Sequence, residues 1–270
     1  MLDIILDALL DTLKLIPFLF ISFIIMELIE HRLKNKQKLL NTKKYGPIIG
    51  STLGMIPQCG FSALASNLYA ARVITLGTLI AIYLSTSDEM VPIMISHKTN
   101  INIILKIIFI KFLLGLLFGI IIDLIYQRKK DDNIKHMCEV DHCHCEESII
   151  KSSIIHTLKI SLFIFIINAI LNSIVDKEII TNFVNNNKIL TPIITSIIGL
   201  IPNCGASVII TELYIEKIIT LGSCLSGLLA GSGVGILILF KQNKNLKENL
   251  LILLILILIA SSTGIILNLM

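Results

Sequence analysis

The chain has 270 residues, of which 54% are hydrophobic and only 16% charged, and its mean hydropathy is +0.86. Soluble domains carry about 25% charged residues. This composition therefore excludes a soluble enzyme, a nucleic-acid-binding domain and a secreted disulfide scaffold, and it predicts an integral membrane protein that is not an enzyme. The net charge of +4 implies no acidic partner, because cytoplasmic loops of membrane proteins are enriched in lysine and arginine.

Four apolar stretches are each long enough to cross a bilayer as a helix. They lie at 12–30, 101–126, 154–175 and 248–269. Two further apolar blocks, at 46–96 and 190–240, are interrupted by Gly, Pro, Ser, Thr and Asn, which predicts short or broken helices. The sequence therefore predicts an all-α membrane protein with about eight to ten transmembrane segments.

The chain contains an internal repeat with an offset of 145 residues. Residues 47–62 read PIIGSTLGMIPQCGFS, and residues 192–207 read PIITSIIGLIPNCGAS. Sixteen of the 31 aligned residues that begin at position 47 are identical. We therefore divide the chain into a first membrane repeat at 1–126, a linker at 127–153 and a second membrane repeat at 154–270.

Lysine and arginine in the short loops predict the orientation of the two repeats. The loop after the first span carries six basic residues and no acidic residue between 32 and 44, so it is expected in the cytoplasm, as is the linker. The loop at 176–190 is less basic and is expected outside. The two repeats then have inverted topology, and each interrupted block must cross the membrane an odd number of times. Three short spans satisfy this requirement, as does one span with a re-entrant pair.

The repeated motif Ile-Pro-x-Cys-Gly-x-Ser is the strongest candidate for a substrate or ion site. Proline removes a backbone donor and glycine allows unusual φ angles, so each copy is expected to interrupt a helix. Paired helix breaks near the midplane are typical of secondary transporters. The alternative is a pair of structural kinks with small, packed cysteines. The candidate residues in the two copies are Pro57, Cys59, Ser62, Pro202, Cys204 and Ser207.

Carboxylate and amide side chains inside the apolar segments are the next candidates. Asp88 and Glu89 follow the run Ser-Thr-Ser at 85–87. Adjacent carboxylates within a bilayer mark ion pathways, although the aqueous end of a helix is the alternative. The other polar candidates are Glu27 near the end of the first span, Asn67, and Glu212, which is aligned with Asn67 in the repeat.

The predicted cytoplasmic linker holds a cluster of soft and borderline metal ligands. Thiolates and imidazoles bind zinc, copper(I) and trivalent arsenic. The spacing fits no closed zinc-finger pattern, so we expect a transient metal site and no tightly bound cofactor. A solvated acidic linker is the alternative. The ligands are His136, Cys138, His142, Cys143, His144 and Cys145.

These motifs together resemble the family of ten-transmembrane heavy-metal exporters, whose members are labelled arsenic efflux proteins or manganese transporters. The doubled Ile-Pro-x-Cys-Gly-x-Ser, the run Ser-Thr-Ser-Asp-Glu and the Cys/His-rich loop carry the resemblance, which extends over nearly the whole chain. It implies export of a metal or metalloid ion across a bacterial plasma membrane. It also implies that the residues of the doubled motif form the core of the transport site.

The ligand types leave the transported ion open. The thiols of Cys59 and Cys204 suit arsenite or copper(I), whereas the oxygens of the carboxylates suit Mn²⁺. The sequence has no G-x-x-x-x-G-K-[ST] motif, so energy for transport is expected from a gradient or a partner subunit. A protein of another class, a transmembrane thiol-disulfide electron conductor, also places one cysteine in each repeat. Its Pro-Cys-x-x-Pro arrangement is absent from this sequence.

Overall fold

The computed structural model describes residues 45–56, 59–87, 90–126, 189–202 and 204–269, with scattered positions between 13 and 24 and between 154 and 166. Every regular element within these ranges is a helix, and none of them is a strand. The prediction of an all-α protein is confirmed. Several predicted residues lie outside the described ranges, namely Glu27, Pro57, Asp88, Glu89 and the loop 136–145.

The helices follow the sequence repeat. In the first repeat the described helices are α1 (Gly46–Gly54), α2 (Cys59–Ala70), α3 (Leu76–Ser85), α4 (Met90–Ser96) and α5 (Ile101–Ile125). In the second they are α6 (Leu190–Gly199), α7 (Cys204–Ile215), α8 (Leu221–Ala230), α9 (Gly235–Gln242) and α10 (Leu246–Leu269). The bounds of α2 and α3 recur 145 residues later in α7 and α8, so the two copies of the sequence form matching helices.

Four helical stretches among the described residues are long and apolar enough to cross a membrane. Two of them are broken spans, formed by α3 with α4 and by α8 with α9, and two are the continuous helices α5 and α10. The broken spans are 75% and 89% buried, whereas the continuous spans are only 22% and 28% buried. The broken spans therefore form the interior, and α5 and α10 present apolar faces to the surroundings.

Helices α1 and α2 form a hairpin whose arms are too short to cross a bilayer. Their 9 and 12 residues correspond to about 14 and 18 Å at 1.5 Å per residue, against a hydrocarbon core of about 30 Å. Gly46 lies against Thr78 and Gly54 against Ser85, so α1 runs parallel to α3. Residues 71–75 join α2 to the start of α3. Helix α1 therefore ends beside the end of α3, where the broken span is interrupted, and the number of membrane crossings in the block 46–96 stays a prediction.

The second repeat contains the same hairpin. Gly199 of α6 lies against Gly227 of α8, and the Thr195 hydroxyl donates a hydrogen bond to the Ser223 carbonyl at 2.8 Å. Helix α6 therefore runs parallel to α8, as α1 does to α3. Small residues at these positions let the backbones approach, since a Cβ atom on Gly199 would lie 2.0 Å from the Gly227 carbonyl oxygen.

Each hairpin packs on the broken span of the other repeat: α2 contacts α9, and α7 contacts α4. Ser62 lies against Gly235 at the start of α9, and Arg72 Nη2 donates to Asn243 Oδ1 at 3.4 Å beyond the end of α9. Helices α2 and α9 are thus parallel. Because α2 returns antiparallel to α3, α9 runs in the opposite direction to α3.

A polar contact fixes the start of each broken span against the end of the continuous helix. Thr75 caps α3, and its side-chain oxygen accepts from the Thr78 backbone N–H at 3.1 Å. Asp123 of α5 accepts from the Thr75 hydroxyl at 2.6 Å and from the Gly77 backbone N–H at 2.8 Å. In the second repeat, Asn268 Oδ1 accepts from the Thr220 hydroxyl at 2.6 Å.

Candidate substrate site at the helix breaks

The two copies of the repeated motif lie at the tips of the hairpins. The tip of the first hairpin is the turn between α1 and α2, and the tip of the second is the turn between α6 and α7. Cys59 and Cys204 are the first residues of α2 and α7, but their side chains lie outside the part of the structure that is described. The prediction that both motifs interrupt helices is therefore confirmed, whereas the placement of the two thiols stays a prediction.

The first hairpin brings Ser62 to the break in the broken span of the other repeat. Ser62 is fully buried, and a Cβ atom on Gly235 would lie 2.9 Å from both the side chain and the backbone carbonyl of Ser62. Gly235 begins α9 directly after the break at 231–234. A side chain at Gly235 would therefore push the hairpin away from the break.

Ser66, which the sequence analysis did not single out, forms hydrogen bonds at the contact between Ser62 and Gly235. Its hydroxyl donates to the Ser62 carbonyl or the Gly235 carbonyl, at 2.6 and 2.7 Å, and lies 2.8 Å from the Tyr83 hydroxyl. All of these groups are buried. Ser66 is aligned with Thr211 in the repeat, and this shared hydroxyl is the sequence signal that could have identified it.

Asn67 is buried and incompletely hydrogen-bonded. Its side chain is only 1% exposed, and neither its amide oxygen nor its amide nitrogen has a hydrogen-bond partner among the described residues. Burying an unpaired amide costs about 2–7 kcal/mol. The aligned residue Glu212 is half-buried in α7 on the other hairpin. The two predicted polar residues thus lie on equivalent hairpin arms.

The remaining predicted residues of the second motif are less buried than Ser62. Pro202 is half-buried at the tip of the second hairpin, and Ser207 is half-buried in α7. The Ser207 backbone carbonyl accepts a hydrogen bond from the Thr211 hydroxyl at 2.7 Å, as the Ser62 carbonyl does from Ser66. The two hairpin arms therefore share local geometry but differ in burial.

The breaks within the two spanning helices are lined by buried hydroxyl groups. Ser85, Thr86 and Ser87 at the end of α3 are all at most 2% exposed. The hydroxyl of Thr86 turns back to the Ile82 carbonyl at 2.6 Å. In the other break Ser232 is fully buried, and its hydroxyl has no hydrogen-bond partner among the described residues.

Lys111 joins the two breaks, and the sequence analysis missed it. Its ammonium donates to the Thr86 carbonyl at the end of α3 and, at 2.6 Å, to the Leu228 carbonyl in the last turn of α8. The side chain is 1% exposed. The signal was present in the sequence, since no other charged residue lies between Lys106 and Asp123 in this apolar helix.

The polar groups described at the breaks are hydroxyls, backbone carbonyls and the Lys111 ammonium. Within the described ranges, no three or more Cys, His, Asp or Glu side chains are grouped so that they could hold a metal ion. Oxygen ligands favour hard and borderline cations over soft ones. The oxygen atoms described at the breaks are of the kind that contact such cations.

Comparison with known proteins identifies a family. A family model described as "Putative, 10TM heavy-metal exporter" matches residues 1–179 and, a second time, residues 159–270. No curated protein and no solved structure matches the chain. The two matched segments together cover the whole chain, as the resemblance of the sequence motifs implied. The chain therefore belongs to this family of ten-transmembrane heavy-metal exporters.

Proposed function

We propose that the protein is a secondary transporter that exports a divalent heavy-metal cation, with Mn²⁺ as the first candidate, across the plasma membrane. In this proposal the ion passes between the two repeats, at the level where the hairpin tips and the breaks in the spanning helices meet. The family membership supports a heavy-metal exporter. The identity of the ion, the location of its path and the mechanism are parts of the proposal.

One observation carries the proposal: the C-terminal ends of α3 and α8 meet across a single buried ammonium, that of Lys111. Helix ends of this kind carry partial negative charge on carbonyls that lack helical partners. Discontinuous helices that present such carbonyls near the bilayer midplane hold the transported ions of many secondary transporters. The hydroxyl of Ser232, four residues after Leu228, is buried and has no hydrogen-bond partner among the described residues.

The opposite directions of α3 and α9 support an inverted arrangement of the repeats. The contacts also bring Arg72 together with the chain that follows α9. Lysines at 241, 244 and 247 make that loop basic, so both segments are expected to face the cytoplasm. Two repeats of opposite orientation around a shared site are the usual basis of alternating access, in which one repeat rocks against the other.

The choice of a divalent cation rests on ligand chemistry. The described groups at the breaks offer oxygen atoms, and Asp88 and Glu89 follow the buried run at 85–87 directly in sequence. Carboxylate, carbonyl and hydroxyl oxygens suit Mn²⁺, whereas arsenite and copper(I) need thiolates. We propose that the two carboxylates neutralise the ion, and that Cys59 and Cys204 contribute little to its binding.

The decisive experiment measures metal accumulation in cells that express the protein, for a panel of Mn²⁺, Co²⁺, Zn²⁺, Cd²⁺ and arsenite. We expect lower accumulation of at least one divalent metal than in cells with an empty vector. The double substitution Asp88→Asn with Glu89→Gln should abolish this difference, because removing two charges at a partly desolvated site weakens cation binding by several kcal/mol. Glu216→Gln is the matched control, since Glu216 is exposed.

Two results would contradict the proposal. Unchanged accumulation of every metal in the panel would contradict export itself. Export by the double variant at the wild-type rate would place the ion path away from Asp88 and Glu89, and would direct attention to the two thiols. Membrane insertion of each variant is checked by its abundance in the membrane fraction.

A further inference from the structure

The position of Lys111 within α5 places a positive charge deep in the membrane. It is the eleventh residue of a helix of 25 residues, about 15 Å from the start of the helix at 1.5 Å per residue. This distance is half the thickness of a hydrocarbon core of about 30 Å. Charged side chains at such depth are rare in membrane proteins, face the interior and are associated with function.

Two acceptors of Lys111 are backbone carbonyls at the ends of two helices. Thr86 is the C-cap residue of α3, and Leu228 lies in the last turn of α8, which ends at Ala230. The last carbonyls of a helix have no partner within the helix. They therefore form a place for a cation, and the Lys111 ammonium occupies this place in the structure.

The two acceptors belong to different repeats, whereas the lysine occurs in one repeat only. The aligned residue in α10 is Leu256, which is fully buried in an apolar cluster. A single ammonium therefore serves both broken spans. If one repeat moves against the other, Lys111 must either lose one of its two hydrogen bonds or move its side chain together with the two helix ends.

We propose that Lys111 is a tethered cation that takes the place of the exported ion while the transporter is empty. The inference rests on the proposed function, because it requires a substrate with positive charge. The incoming metal cation repels the ammonium strongly at short range in a medium of low dielectric constant and displaces it from the two carbonyls. After the metal leaves, the ammonium returns and satisfies the carbonyls, whose exposure in the membrane interior is costly.

This role has a specific consequence for the transport cycle. The loaded transporter crosses between its two states with the metal at the site, and the empty transporter returns with Lys111 there instead. Removing the charge should therefore impair the return of the empty transporter while leaving the exchange of metal for metal intact. A lysine that only stabilised the fold would affect both processes together.

The test uses purified protein in liposomes and radioactive Mn²⁺, or whichever divalent metal the wild-type protein exports. For Lys111→Met we expect net transport to fall at least tenfold, because the empty transporter has no cation at the site when it returns. Metal–metal exchange should stay within about twofold of the wild type. Lys111→Arg retains the charge and should keep a larger share of net transport. Lys106→Met, an exposed lysine on the same helix, is the control.

A second variant separates charge from hydrogen bonding. Lys111→Gln keeps amide donors for the two carbonyls but is neutral, so it should fold well and show the same loss of net transport. Normal net transport by Lys111→Gln would overturn the inference and assign Lys111 a structural role. A parallel loss of net transport and exchange in a variant that unfolds at the wild-type temperature would also overturn it.

The outcome for the wild-type protein distinguishes this inference from the proposed function. If the wild type exports arsenite, which is uncharged at neutral pH, and no metal cation, export itself stands, whereas the proposed divalent substrate and the tethered-cation role of Lys111 are both wrong. If the wild type moves nothing in the panel, the proposed function is wrong, and the inference fails with it. Transport of a divalent metal with equal net rates in the wild type and Lys111→Met contradicts only the inference.

Discussion

At the scale of single residues, the amide of Asn67 is the clearest departure from ordinary packing. Buried side-chain amides are almost always hydrogen-bonded, yet both polar atoms of Asn67 lack partners among the described residues. Its helix, α2, follows the first hairpin tip and packs on α9 of the other repeat. We interpret this amide as a group that meets the ion or its water during transport.

Replacing Asn67 by leucine, whose side chain has the same branching and number of heavy atoms, tests this interpretation. We expect the thermal stability of the purified protein to stay the same or rise, because an unpaired buried polar group is removed at a gain of about 1–2 kcal/mol. Metal export should fall at least tenfold. Asn102→Leu at the exposed start of α5 is the control. A large loss of stability with normal export would show that the amide serves the fold.

Substitution of Cys59 and Cys204 distinguishes metal export from electron conduction. If the protein is an exporter of a borderline divalent cation, the double substitution of both residues by serine should leave export within about threefold of the wild type, since Mn²⁺ prefers oxygen ligands. A thiol-disulfide conductor would need both thiols. Oxidation followed by non-reducing electrophoresis checks for a bridge between them, and Cys224→Ser, a buried cysteine elsewhere, is the control.

At the scale of helices, the breaks follow from local chemistry, and their anchoring follows from caps. In each copy of the doubled motif a proline lies two residues before the first residue of the second hairpin arm, α2 or α7. The N-terminal ends of α3 and α8 are each capped by a threonine whose hydroxyl also bonds to a side chain near the end of the continuous helix. The second repeat uses Asn268 where the first uses Asp123, so the hydrogen bond rather than the charge is common to both.

Two substitutions of Asp123 use this natural difference. Asp123→Asn should be tolerated, with a change of less than about 1 kcal/mol, because the asparagine of the second repeat makes the same bond to a threonine. Asp123→Leu should cost about 1–3 kcal/mol, because the Gly77 N–H loses its partner at a close helix contact. Thermal unfolding in detergent measures the stability of both variants. Equal stability of the two variants would contradict a role for this hydrogen bond.

The predicted metal-binding loop can be tested as a separate segment. Deleting residues 136–146 should weaken metal resistance only at low external metal concentration, because the loop is proposed to raise the local concentration of the ion and not to form its path. Growth over a series of metal concentrations measures this effect. A linker of equal length, in which every Cys and His is replaced by serine, is the control for spacing. Loss of transport at every concentration would mean that the ion path includes the loop.

At the scale of the whole molecule, a buried ion pair joins the two repeats. Arg72, after the end of α2, contacts Glu248 in the first turn of α10 at 3.2 Å, and their side chains are 14% and 4% exposed. The Tyr69 hydroxyl also donates to Glu248. Arg72 has a φ of 67°, a conformation that usually favours glycine. The ion pair gives a reason for arginine at this strained position.

The energetic role of this pair can be measured with a double-mutant cycle. Arg72→Met leaves the Glu248 carboxylate buried without its cation, which should destabilise the protein by about 3 kcal/mol. The double variant Arg72→Met with Glu248→Gln should recover more than half of that loss. Lys217→Met is the control, because Lys217 has a similar φ of 61° but is exposed. Additive effects of the two substitutions would mean that the pair does not hold the repeats together.

The composition and the repeat by themselves determined the class of this protein and much of its helical pattern. Low charge and long apolar runs are local properties, and they established an all-α membrane protein. The doubled motif predicted a break within each hairpin, because proline acts on the backbone of its own segment. The offset of 145 residues predicted matching helices, and α2 and α3 recur in α7 and α8 at this offset.

Only the tertiary structure decided which breaks meet and what lies between them. The ammonium of Lys111 bonds to a carbonyl 117 positions away, and Arg72 pairs with a carboxylate 176 positions away. Such contacts depend on the path of the chain, and the identity of a lysine in an apolar helix does not indicate which carbonyls it will find. Likewise, only the contact of Gly54 with Ser85 shows that α1 ends beside the end of α3, because hydropathy does not report where one helix ends beside another.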